Sequence, residues 1–84
     1  MNRITEDQHH LITVGTVIRR EAHSWSAAKH GELCTVVEIF DPTPKLALAV
    51  INERGVKFPI HWDELDRYSL VFTNEDELFL HNLY

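Results

Sequence analysis

Between Leu33 and Ile60 the apolar positions follow the period of strands, three of them in succession. Leu33-Cys34-Thr35-Val36-Val37-Glu38-Ile39-Phe40 is rich in the β-branched and aromatic side chains that suit a pleated surface. Asp41-Pro42-Thr43-Pro44 predicts its end, because proline has no N–H for a ladder and favours a turn. Leu46-Ala47-Leu48-Ala49-Val50-Ile51 is an unbroken apolar run of strand length. Asn52-Glu53-Arg54-Gly55 closes it, and Val56-Lys57-Phe58-Pro59-Ile60 then alternates, with Val56, Phe58 and Ile60 on one face. The pattern predicts a β-meander.

On either side the signals are shorter. Met1 to His10 is polar and predicts a flexible N-terminal arm over residues 1–10. From Leu11, the residues Ile12, Val14, Thr16 and Ile18 fall on one side of a strand ending at Arg19-Arg20, with Gly15 marking a bend. Glu21 to Glu32 has neither period and reads as a long loop carrying Trp25, with a helical turn at Ser26 to Lys29. Gly31 opens the meander. His61 to Asp66 fits one 3₁₀ turn, with Trp62 and Leu65 three apart on one side. Arg67 to Phe72 predicts a closing strand, Leu70 and Phe72 on one face and Val71 on the other. In residues 74–84, Asn74 followed three positions later by Glu77 marks a helix start. Leu78, Phe79, Leu80 and Leu83 supply the apolar side of a short C-terminal helix packed on the body, with a hairpin turning at 74–76 as the competing reading. The expected fold is mainly all-β: five strands forming a small barrel over residues 11–73.

Val14-Gly15-Thr16-Val17, the long loop, Gly31 before the meander, the turn at Asp63-Glu64-Leu65 and a last strand together resemble the SH3-like small barrels. That superfamily includes SH3 domains and the KOW-type domains of transcription and ribosomal proteins. The resemblance covers roughly Thr13 to Phe72 and implies a five-stranded barrel. KOW-type segments carry Gly-x-x-Gly-x-Val; here Gly31-Glu32-Leu33-Cys34-Thr35-Val36 has Cys34 at the second glycine. The Ala-Leu-Tyr-Asp-Tyr stretch, mid-chain tryptophan pair and Pro-x-x-Tyr of peptide-binding SH3 domains are absent. The resemblance therefore implies a fold and transfers no binding residue.

Charge narrows the partners. Thirteen acidic against eight basic side chains give a net charge of −5, which repels phosphate backbones at long range and favours a basic partner. The single cysteine, Cys34, allows no internal disulfide, and neither a signal sequence nor an apolar run of membrane-spanning length is present, so a cytoplasmic location is expected.

Candidate chemistry is sparse. His23-x6-His30-x3-Cys34 matches no zinc spacing, and His9, His10 and His61 add no recognisable ligand set, so neither metal nor cofactor is expected. Ser24, Ser26 and Cys34 lack the base-and-orienter pattern of a nucleophile, and no enzymatic activity is expected. An aromatic ringed by polar groups is what a protein-binding anchor looks like. The expected function is thus a small interaction module that binds a protein partner through Trp25, His23 and Lys29 with the acidic turn Asp63, Glu64 and Asp66. Such an acidic domain can regulate or inhibit a nucleic-acid-processing enzyme by occupying its basic surface. A KOW-like binder of RNA or single-stranded DNA using Arg19, Arg20, Lys45, Arg54 and Lys57 is the alternative. A third reading is a structural subunit that self-associates through Ala47, Ala49 and Ile51.

Overall fold

The computed structural model describes residues 3–24, 26–43 and 46–73, with backbone alone for 41–43, 46 and 47. In chain order they form a 3₁₀ helix (Glu6–Leu11), β1 (Val17–Arg20), β2 (Leu33–Thr43), β3 (Leu46–Asn52), β4 (Lys57–Ile60), a second 3₁₀ helix (Trp62–Arg67) and β5 (Tyr68–Phe72). The strands make one antiparallel sheet in the order β4-β3-β2-β1-β5. The predicted meander and 3₁₀ turn are both present.

Period-2 alternation sets the inner face. Ile18 pairs with Cys34, Val36 with Val50, and Leu48 with Ile60. All six side chains are fully buried, joined by Leu65 and Tyr68. Burying a side chain of this size contributes about 1.5–3 kcal/mol each.

The sheet is not closed, which corrects the expected barrel. β4 and β5 are four and five residues long and do not pair with each other. The second 3₁₀ helix packs against β3 and β5 at that end, its Leu65 filling the core where further pairing would run. A five-stranded, unclosed antiparallel sheet of this size is compatible with an SH3-like fold.

Three boundaries differ from the sequence pattern. β2 runs on through Asp41 and Pro42 to Thr43, because its register with β3 shifts between Ile39 and Thr43. A proline in such an irregular stretch forfeits no ladder bond. β1 starts only at Val17, because Thr13 to Thr16 form a turn. The Thr13 N–H donates to the Thr16 hydroxyl at 3.0 Å, and Gly15, at φ 100°, donates its N–H to Val36 O at 2.8 Å. A residue with a Cβ is disfavoured at that φ. The bend expected at Gly15 therefore precedes the strand.

The third difference is the N-terminal arm, where the structure has an element. Thr5 N–H donates to Gln8 Oε1 and Gln8 N–H to Thr5 O, both at 3.0 Å, across the start of the first 3₁₀ helix. Ile4 and Ile12 bracket that helix, and both are buried in the core. Ile4 N–H donates to Tyr68 O at 2.8 Å, and Arg3 bridges to Ser69, so this segment covers one end of the β5 edge. Only two widely spaced isoleucines do this, too few to register as a period. Trp25, Lys45 and the tail over residues 74–84 lie outside the described residues.

Candidate functional site

The two 3₁₀ helices face each other across an open groove of about 760 Å³. His9 from the first stacks on Trp62 from the second, ring centres 4.9 Å apart and planes 28° from parallel. Asp63 and Asp66 also line the groove, and a 3₁₀ helix brings residues three apart onto one side. Glu6 completes the rim from the opposite helix, above Ile4. Among the described residues none of these three carboxylates has a Lys or Arg within ion-pair distance. The groove is an aromatic floor with unpaired negative charge around it.

The long loop between β1 and β2 is held elsewhere. Arg54, in the β3–β4 turn, forks onto Glu32 through Nε at 2.9 Å and Nη2 at 3.1 Å. Nη2 also donates to Ala27 O, which accepts a second bond from Asn52 Nδ2 at 3.3 Å. Glu32 in turn accepts from Lys29 N–H at 3.2 Å. The Arg54 guanidinium and the Lys29 amide hold the Glu32 carboxyl below its ordinary pKa against the opposing effect of burial. Charged, forked hydrogen bonds of this kind are the strong ones.

A lowered folded pKa stabilises the fold above the ordinary carboxylate range, and that contribution disappears as pH falls through the folded value. Glu32→Gln should therefore lower Tm at neutral pH and flatten the fall in Tm on acidification from about pH 5 to about pH 3. Thermal melts at both pH values check this; parallel slopes for the two proteins would show that the Glu32 fork contributes nothing to acid sensitivity. Glu21 behaves alike, lowered by the Arg19 and Ser69 side chains that donate to its Oε1.

The residues expected to bind a protein separate in the structure. Asp63 and Asp66 line the groove, while Glu64 lines a smaller cleft with Arg20 and Arg67. His23 stacks on His30 at 3.9 Å, both exposed on the long loop, and Lys29 is exposed beside Glu32. Trp25 falls outside the described residues. Of the basic set, Arg19 pairs with Glu21 at 2.8 Å, Arg54 with Glu32, and Lys57 with Glu38 at 3.3 Å; Arg20 is buried. In the row Ala47, Ala49 and Ile51, Ala49 is buried outside the core cluster and Ile51 half-buried, and the Ala47 side chain lies outside the described set. Among the described residues no three His, Cys, Asp or Glu gather as metal ligands. Cys34 is fully buried, and burial, with Glu32 and Glu53 adding to it, pushes its thiol up to about 12.

Sequence reasoning missed Ile4, Glu6 and His9. One signal was available: Thr5-Glu6-Asp7-Gln8 has the spacing of a helix-capping pair. No protein-family model, curated protein or solved structure matches this chain. No helix of the described residues is long and apolar enough to cross a membrane.

Proposed function

We propose that this chain is a small, non-enzymatic interaction module of SH3-like architecture that grips a basic segment of a protein partner in the groove between its 3₁₀ helices. One observation carries the reading: Glu6, Asp63 and Asp66 surround the Trp62–His9 stack without a cation from the described part of the chain. A Lys or Arg side chain that takes the place of His9 over Trp62 would gain about 0.5–2 kcal/mol from the ring face, less what the His9 stack contributes. The surrounding carboxylates favour the same charge and speed its approach. The basic surface of a nucleic-acid-processing enzyme is one partner of this chemistry. Cys34 offers no nucleophile for covalent chemistry, because burial above all keeps its thiol protonated.

The test uses a labelled, unstructured Lys/Arg-rich peptide and its Glu-substituted counterpart. The basic peptide should bind, the acidic one should not, and affinity should fall as salt rises. Asp63→Asn with Asp66→Asn should weaken binding about tenfold, a loss of about 1.4 kcal/mol. The charge-matched control Glu38→Gln with Glu53→Gln changes two exposed residues away from the groove and should leave affinity close to wild type. Equal losses from the two pairs would reduce the effect to net charge and sink the groove as the site.

A further inference from the structure

Arg20 is only 1% exposed, yet no carboxylate of the described residues lies within ion-pair distance of it. Its Nη2 donates to Ser24 O at 3.2 Å and to Ser24 Oγ at 3.0 Å, and its guanidinium lies 5.1 Å from the Tyr68 ring centre. Its Nε is buried and has no acceptor among the described residues. An unsatisfied buried donor is costly, and a buried charge without a counter-charge is costlier still.

The same molecule shows what this edge of an arginine takes when satisfied. On Arg54, Nε and Nη2 together hold one carboxylate, that of Glu32, at 2.9 and 3.1 Å. On Arg20 the corresponding edge is half filled, by two neutral oxygens of a single loop residue. Arg20 also lines a cleft of about 290 Å³ between the long loop, β4 and the second 3₁₀ helix. Phe58 and Pro59 form its apolar wall, and Arg67 and Glu64 stand on the helix side.

We propose that the Nε/Nη2 edge of Arg20 is a binding site for one carboxylate of a ligand, with the Ser24 oxygens holding its place in the free protein. At about 290 Å³ the cleft falls just short of the usual range for small-ligand sites, yet is enough for one acidic side chain or one chain terminus. A planar carboxylate fits the fork. Glu64 and Arg67 in the cleft offset each other, so the choice of a carboxylate rests on its planar fit to the fork. This site is separate from the acidic groove, so either can fail alone.

The test follows the ¹⁵N–¹H resonance of Arg20 Nε in the full-length protein, with that of Arg54 as internal reference. N-acetylaspartate α-methylamide presents a side-chain carboxylate, N-acetylalanine a terminal one, and sodium chloride at matched ionic strength is the control. One or both carboxylates should move the Arg20 Nε–H downfield and saturate, while Arg54 and the chloride control stay still. The arm that saturates at lower concentration identifies the source. Arg20→Lys keeps the charge but removes the fork, and should weaken the response of the Ser26 and Phe58 amides about tenfold or more. An Arg20 resonance unmoved by both carboxylates would overturn the proposal, as would an equal shift with chloride.

Discussion

Ile4→Ala should destabilise the folded chain by about 3 kcal/mol. Ile4 is buried among the core residues at 2% exposure, and its backbone N–H is tied to Tyr68 O. Truncating it removes three carbons that pack against the core beneath the groove, and their apolar contacts go with them. For a domain of this size, total stability is on the order of 5–15 kcal/mol, so the loss is a large share of the whole. It corresponds to a fall in Tm of roughly 12–24 °C. Val14→Ala, four positions beyond His10 and 56% exposed, is the matched control and should shift stability by no more than about 0.5 kcal/mol. Urea melts of the two variants decide the matter. If Ile4→Ala melts with Val14→Ala, the N-terminal segment is a loose arm in solution and the groove it walls does not persist.

Trp62→Leu should reduce capture of the basic peptide about tenfold while keeping most of the stability. Trp62 has two functions: it packs partly buried against the core, and its ring lines the groove with His9 stacked on it, a place that a ligand cation would take from His9. Leucine keeps the apolar packing and removes the ring, so the cation–π contribution and the His9 stack go while the fold stays. Trp62→Ala removes both, and should add a loss of about 2 kcal/mol in stability to the loss of binding, below the 3–5 kcal/mol of a fully buried Trp because part of the ring is exposed. Peptide anisotropy titrations beside thermal melts separate the two effects. Unchanged affinity in Trp62→Leu would mean that the groove binds by charge alone, and the partner reading would lose its anchor.

The two effects meet at a site whose halves are far apart in the chain. Glu6 and His9 stand more than fifty positions before Trp62, Asp63 and Asp66. Only the second half was readable in part: Asp63, Glu64 and Asp66 read as a candidate partner surface, whereas Glu6 and His9 lie in a stretch that reads as a flexible arm. The union of the halves was not, because it depends on Arg3 and Ile4 joining the end of β5, a pairing between residues 65 or so apart in sequence. Loop closure over such a distance leaves no periodic trace. The basic residues show the converse. Arg19, Arg54 and Lys57 are cations in the sequence, but folding sets a carboxylate beside each and buries Arg20, so their surface role follows from neighbours that no local pattern names.

Local pattern alone places the strands of the meander, the glycine turns at Gly15, Gly31 and Gly55, and the 3₁₀ turn before the last strand. Those features rest on side-chain period, on φ values of 100°, 81° and 79° that glycine accepts, and on the short acidic spacing of the turn, all of which act within a few residues. Long-range packing sets the rest: the sheet stays open, β2 continues past Pro42, the N-terminal segment enters the core, and Arg20 Nε is left without an acceptor among the described residues. Each of these is a choice among partners distant in the chain, made by which faces and edges fit together in a core this small. Local propensity carries no information about that fit.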